Sequence, residues 1–465
     1  QRVTADDTTG FSVLCVSRFS LLSVVTMYRF ACLVLLICGV GAGPWLDNIL
    51  EQDLKKADDS QGVHWGLLVA GSNGWYNYRH QADVCHAYQI LKKHGIPDER
   101  IVVMMYDDIA HNTQNPTPGI VINRPGGKDV YHGVPKDYTG EDVTPDNFLK
   151  ILQGKDMTGI GSGKTIKSTQ NDHLFINFVD HGAPGIVAFP EGLLHATDLN
   201  DAIKSMYQKQ QYAQMVFYVE ACESGSMFED LLPKDLYVWA TTAANSHESS
   251  YACYYDAKRQ TYLGDVYSVK WMEDSDMENL KTETLEKQFQ IVVKETNTSH
   301  PQQFGQMDIS DESVSNFQSS ASHVHTSSPP LPPVPLNAVP SPDVPLAILH
   351  HRLRAAKNMR EEDAIMKEID ELLRERDHIM HTMKRIADLA SYDGYQADRV
   401  INQRRKLTSH YCYKAAVDAF HRQCFNLNKH EYALRTLYAL VNLCEEPVPS
   451  RTILEAISKV CPARN

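Results

Sequence analysis

Two short units 41 positions apart hold the residues of this 465-residue chain best suited to covalent chemistry: Asp180-His181-Gly182 and Glu220-Ala221-Cys222-Glu223-Ser224-Gly225. A cysteine attacks as a thiolate, or as a thiol that loses its proton during attack, so it needs partial access and a nearby proton acceptor or cation. The turn Ser224-Gly225-Ser226 after Cys222 is built of small residues, which lets a substrate backbone approach and aims N–H groups at a developing oxyanion. His181 would orient the substrate and protonate the leaving amine, and Gly182 would offer its backbone N–H to the same oxyanion. A free cysteine is more often a buried structural residue, and a lone histidine a surface-turn residue. Here a strand-Cys-turn unit occurs together with a strand-His-Gly unit, and that pairing favours catalysis.

Each unit closes an apolar run rich in β-branched and aromatic residues, 174–179 before His181 and 215–219 before Cys222. Strands are also expected at 64–70, 101–106 and 236–241, alternating with helices at 81–93, 147–152 and 199–207, a pattern that implies a parallel α/β sheet. In such sheets ligands gather outside the carboxyl ends of the strands, where neighbouring strands would deliver both side chains to one substrate. The long polar excursion 109–140 is expected to be functional or mobile.

Composition is that of a globular protein, with 43% hydrophobic and 22% charged residues and a net charge of −13. The charge is uneven: residues 1–346 carry 25 Lys+Arg against 42 Asp+Glu, a net −17, and residues 347–465 carry 20 against 16, a net +4. An acidic body and a mildly basic tail attract, and acid weakens that attraction as carboxylates lose charge. The acidic balance argues against nucleic acid as a partner.

The first methionine is Met27, so residues 1–26 read as upstream sequence without structural meaning. Residues 27–42 carry a basic start, a short apolar run and small residues suited to signal cleavage, and the run is too short to span a bilayer. No later segment is long enough either. Cys412, Cys424, Cys444 and Cys461 suggest two disulfides in an oxidising compartment, with three pairings open, and the sequon at Asn297 fits a secretory route. A Ser/Pro-rich connector at 311–346 is expected to be extended and open to proteases, and a helical domain at 347–465 follows it.

With these units in view, the chain resembles the legumain family of asparaginyl endopeptidases, in the caspase-like clan of cysteine peptidases. The likeness is carried by 71–80 (GSNGWYNYRH), the Asp-His-Gly and Glu-Ala-Cys-Glu-Ser-Gly units, and 249–253 (SSYAC). It implies a caspase-like, mostly parallel central sheet flanked by helices, with a C-terminal all-α, disulfide-stapled prodomain. It implies a short propeptide at 43–61, a catalytic domain at 62–310, and a prodomain at 347–465 that inhibits the enzyme until acid releases it. Cys222 becomes the nucleophile, His181 its partner and Asn77 the residue orienting the histidine, with the backbone N–H groups of Gly182 and Cys222 as oxyanion hole. Arg79, His80, Glu220 and Asp265, with Ser249 and Tyr251 on the wall, become a pocket for asparagine. A carboxamide has one acceptor and two donors, so it needs a fixed donor such as Arg79 and carboxylate acceptors such as Glu220 and Asp265.

The same resemblance links Asp180 to ligase behaviour and pairs Cys412 with Cys444 and Cys424 with Cys461. It places activation cleavage after Asn358, with Asn337 and the bond at Asp343 as alternatives. Protein and peptide substrates, cystatin-type inhibitors and a lysosomal or endosomal location follow from it. No cofactor and no catalytic metal are expected, because the histidines are scattered without ligand spacing. The run 159–165 resembles a phosphate loop but lacks its first glycine and a preceding strand, so a flexible surface loop is expected. Two rivals are weaker. A GPI-anchor transamidase subunit would carry a C-terminal membrane span, and a non-catalytic binding or inhibitory homologue would not need Cys222, His181 and Asn77 intact.

Overall fold

The computed structural model describes residues 62–320 and 332–461. The expected upstream sequence, signal and short propeptide lie outside the described residues, as does the centre of the connector. The described residues form one compact unit. It opens with β1 (His64–Ala70), α1 (Tyr78–Lys93), β2 (Ile101–Met104), α2 (Pro145–Leu152) and β3 (His173–Val179). Three short strands follow, β4 (Gly182–Ala183), β5 (Ile186–Ala188) and β6 (Leu193–His195), then α3 (Ala196–Gln208), β7 (Gln214–Glu220) and β8 (Val238–Thr242). Next come β9 (Tyr251–Asp256), β10 (Thr261–Asp265), α4 (Val266–Met277), α5 (Leu285–Glu295), β11 (Gln302–Gly305), α6 (Ser315–Gln318) and β12 (Val339–Pro340). The tail holds α7 (Val344–Ala355), α8 (Met359–Ala390), α9 (Gly394–Asn402), α10 (His410–Gln423), α11 (Tyr438–Glu445) and α12 (Ser450–Val460).

Among the described residues six strands make the central sheet, in the order β11-β8-β7-β3-β1-β2. All pair in parallel except β11, which runs antiparallel to β8. Parallel strands covered on both faces bury nearly every side chain, which is why β1, β3 and β7 are continuous apolar runs rather than alternating ones. Leu68, Phe175 and Tyr218 pack toward α1 and α4 on one face. Leu67, Ile176 and Phe217 pack toward α2 and α3 on the other. In the β3–β7 register Val179 lies opposite Glu220, so His181 and Cys222 leave the sheet side by side.

Several boundaries differ from expectation, each for a local reason. The strand expected at 101–106 ends at Met104, because the chain turns away to Tyr138 and Asp107 takes the left-handed φ of 64°. The strand expected from 236 begins at Val238, after Tyr237 at φ 54°. The catalytic body runs past 310 to about 320, since Val314 and Phe317 are buried in its core. The end of the connector is docked rather than free: Tyr254 N–H donates to Leu336 O at 2.6 Å, and β12 joins the edge of β9. The 159–165 loop is pinned rather than flexible, because Lys164 Nζ donates to Asp137 and to the carbonyls of Asp98 and Ile101.

The tail is helical and carries the disulfides Cys412–Cys444 and Cys424–Cys461. Its core is continuous with the catalytic body: Ala183, Ile186 and Ala188 of β4 and β5 pack with Ile379, Val417 and Phe420. Ion pairs ring that contact with the polarity the charge division predicts. Lys406 reaches Glu229 and Asp230, Lys414 reaches Asp198, and Arg404 reaches Glu223.

Candidate active site

The elements place the expected trio together. Cys222 and His181 follow β7 and β3, and Asn77 sits in the turn leading into α1; all three line one cleft of about 420 Å³. His181 Nε2–H donates to Asn77 Oδ1 at 2.9 Å. The amide is oriented by its other end, because Asn77 Nδ2 donates to Asn73 O and to Glu431. After Cys222 the chain turns sharply through Glu223, at φ 51°. Such left-handed strain in a non-glycine residue is typical of sites the surroundings must enforce. At Gly182 a side chain would collide with the Cys222 carbonyl oxygen, so only glycine lets these two backbones approach.

The expected pocket residues are present but lie behind this cleft. Arg79 is fully buried: its Nε donates to Asp265 Oδ1 at 2.9 Å, and its two terminal nitrogens reach Tyr76 O, Asn77 Oδ1 and, at 3.3 Å, Ser341 Oγ. Glu220 Oε2 accepts from Ser268 N–H at 2.8 Å and Glu220 Oε1 has no hydrogen-bond partner, while Asp265 Oδ2 and His80 Nε2 face each other at 3.6 Å, beyond hydrogen-bond distance. Burial pushes Glu220 and Asp265 above the usual carboxylate range, against the pull of Arg79. His80 is bonded to Ser72 Oγ at 2.6 Å and packs edge-on against the His181 ring. Burial and the neighbouring Arg79 charge hold it neutral. Asp180 is buried behind His181 with neither carboxylate oxygen hydrogen-bonded, Oδ1 lying 3.4 Å from His80 Nδ1, and burial pushes it up to about 8. Ser249 lines the open cleft, whereas Tyr251 is half-buried at the start of β9 and pairs with Pro340.

Two further residues, absent from the sequence-based expectation, close the site. Ser341 N–H donates to Ser250 O at 2.9 Å while its hydroxyl accepts from Arg79, so the connector lies along β9 and caps the pocket. Pro342 follows, with its carbonyl held by Arg376, and the Asp343 carboxylate is gripped by Arg376 and Arg435. Glu431, from the tail, reaches His181 Nε2 at 3.1 Å and Asn77 Nδ2 at 2.5 Å. The proline in Ser341-Pro342-Asp343 was the one local signal for the first. Nothing local marks Glu431, which meets Asn77 across 354 positions.

Electrostatics in this closed state hold the chemistry back. Burial pushes the Cys222 thiol up to about 12, with the Glu223 charge adding to it, so the sulfur stays protonated. Burial alone would lower His181, but the Glu431 charge and hydrogen bond outweigh it and raise the imidazole. Glu431 is correspondingly lowered by His181 despite its own burial. His80, Asp180 and His181 form the one group of metal-type ligands with donor atoms within 4.8 Å of each other among the described residues. The Arg79 charge beside both histidines works against a cation there.

Of the other expected positions, Asn297 is exposed just after α5, Asn337 is exposed in the connector at φ 49°, and Asn358 is exposed as the cap of α8, accepting from Glu361 N–H. No helix among the described residues is long and apolar enough to cross a membrane.

Comparison with known proteins agrees with this architecture. The Peptidase C13 family matches residues 64–320, and the legumain prodomain matches residues 367–461. Legumain of Homo sapiens is 52% identical over 441 residues, covering 94% of this chain and 99% of that protein. The hemoglobinase of Schistosoma japonicum is 42% identical over 412 residues, covering 88% and 95%. The vacuolar-processing enzyme of Vicia sativa is 39% identical over 434 residues, covering 88% and 87%. The chain therefore belongs to the legumain family of Peptidase C13, as an asparaginyl cysteine endopeptidase that carries its own prodomain.

Proposed function

We propose that Cys222 attacks the carbonyl following an asparagine side chain and forms a thioester, with its proton passing to His181 and on to the leaving amine. The N–H groups of Gly182 and Cys222 stabilise the oxyanion, and Asn77 holds the His181 ring. Water then releases the acid. A second peptide's amine arriving first would give ligation, with Asp180 behind His181 as the residue linked to that choice. The asparagine carbonyl would accept from Arg79, and its amide N–H groups would donate to Glu220 Oε1 and Asp265 Oδ2. A protonated aspartate presents a similar pattern, so weaker cleavage after Asp is expected in acid. The observation that carries this reading is the His181–Asn77 bond in the Cys222 cleft, with Arg79 bonded to Ser341 and to Asp265, and Glu220 Oε1 and Asp265 Oδ2 without a hydrogen bond. Incubating the purified protein at pH about 4 to 5, where carboxylates take up protons, and offering an Asn peptide and its Gln counterpart tests it. Equal cleavage of both would sink it.

The same reading makes the closed form a zymogen. Ser341 occupies the pocket mouth, but it has no carboxamide, and Pro342 after it has a ring-fixed φ and no backbone N–H with which to pair as an extended substrate would. Activation would cut an exposed bond such as the one after Asn358, while Asp343 is held by two arginines. The route is secretory, toward a lysosomal or endosomal compartment, and cystatin-type inhibitors would compete for the cleft.

Acid release has a definite sign. Glu431 is lowered in the closed state, so its contribution is fully present above the usual glutamate range and is lost as pH falls through its depressed value. His181 is raised, so its contribution is lost as pH rises instead. Glu223, pushed up to about 8 by burial against Arg404 and Arg435, also favours closure on the acid side. Release in acid therefore rests on Glu431 among these three. Glu431→Gln keeps one bond to Asn77 but removes the charge facing His181, and should raise the pH of prodomain release by about one unit. A release profile identical to that of the unaltered chain would assign the trigger elsewhere.

A further inference from the structure

Asp265 is held from two directions by one face of α1. Arg79 binds its side chain, and one turn later Asp83 Oδ2 accepts its backbone N–H at 3.2 Å. Asp83 Oδ1 accepts from Asn123 Nδ2 at 2.6 Å, and the same nitrogen donates to Leu263 O at 2.9 Å. With two acceptors on its amino group, the Asn123 amide can take only one orientation, leaving Oδ1 to accept from His86 Nδ1 at 2.8 Å. His86 Nε2 in turn meets Asp276 at 2.9 Å. A side chain at Gly264 would collide with Val269 Cγ1 and would also crowd Asn123 Nδ2 and Asp83 Oδ1, so the pair reaches the backbone at a strand position that stays bare. Asp83 is fully buried and Asn123 nearly so, and neither lines the cleft.

The geometry points to Asp83 and Asn123 as positioning residues for asparagine selectivity: they fix the end of β10 so that Asp265 presents one oxygen to Arg79 and keeps the other, 3.6 Å from His80 Nε2, for the substrate amide. This rests on the asparagine-pocket reading above. The pair clamps residues 263 and 265 on either side of Gly264, so losing it would free Asp265 to rotate away from the amide while Cys222, His181 and Asn77 stay in place.

Asp83→Asn tests it, because an amide there can satisfy Asp265 N–H only by turning its own amino group against that of Asn123. On enzyme counted by a covalent cysteine probe, KM for an Asn peptide should rise about tenfold, the scale of one mispaired buried polar group, with kcat little changed. Adding Asn123→Asp restores an acceptor opposite residue 83 but sets a carboxylate oxygen against the Leu263 carbonyl in place of a donor, so only part of the loss should be recovered. Asn123→Ala, which removes the bonds to Asp83, Leu263 and His86 together, should raise the same KM at least about tenfold while the rate of labelling by the covalent cysteine probe stays the same. Lowered thermal stability with an unchanged KM, or failure of both single variants to fold, would overturn the proposal. If the unaltered enzyme does not prefer Asn to Gln, the pocket reading itself fails; if it does and the variants keep that preference, only this inference fails.

Discussion

Cys222→Ser should lower kcat/KM on an asparagine peptide by about 10⁴-fold, the scale seen when a nucleophile is removed from a preformed catalytic unit. The effect is large because the serine hydroxyl is a far weaker acid than the thiol, and nothing in the cleft compensates. His181 is held at Nε2 by Asn77 and, in the closed form, by Glu431, and an imidazole is a far weaker match for a hydroxyl proton than for a thiol proton. Burial pushes even the thiol up to about 12 in the closed form, so exposing the cleft would move the sulfur toward its reactive range. The substitution is nearly isosteric, so the fold and prodomain contacts should persist and the variant should remain as full-length protein in acid. Assays of peptide cleavage and self-processing on one preparation check both points. Self-processing that proceeds at the normal rate would mean that another residue, or another enzyme, cuts the connector.

How much of this was readable beforehand depends on the range of the interaction. The β3 and β7 runs are apolar throughout because both sheet faces are covered, and the parallel register that sets Val179 opposite Glu220 follows from the same fact. Two such strands ending in His and Cys therefore mark a shared edge without further information. The pocket was not readable in this way. Arg79 and Asp265 lie 186 positions apart and each is an ordinary charged residue in isolation; only the family resemblance drew them together. Ser341 and Glu431 were missed because their roles come from docking, and docking is decided by the apolar contact of β4 and β5 with the tail helices. The Ser/Pro composition of the connector suggested a free spacer and hid the backbone bonds that tie 336–341 to β9 and its approach. The charge division between body and tail did foreshadow the rim of ion pairs, though not the buried contact inside it.

Arg79→Ala should remove both asparagine recognition and a large part of the stability, because this one guanidinium faces several buried carboxylates at once. It touches Asp265 directly and draws down Glu220, and it also steadies the Asn77 that holds His181. Cleavage after Asn should fall by about 100-fold in kcat/KM as the donor to the substrate carbonyl is lost. Arg79→Lys should do little better, since one ammonium cannot serve Asp265, the Tyr76 carbonyl and the substrate in the fixed planar geometry they share. Stability should drop by about 3–5 kcal/mol, the cost of leaving buried carboxylates without their partner. The loss should itself depend on pH. Without Arg79, Asp265 and Glu220 are raised further above their unfolded values, so the folded state holds protons that the unfolded chain releases. Their protonated forms are tolerated in acid and the penalty grows as pH rises, so the variant's deficit in melting temperature should be smaller at pH 5 than at pH 7. Equal deficits at the two values would mean that Arg79 acts through packing alone, and that the carboxylates behind Ser341 do not depend on its charge.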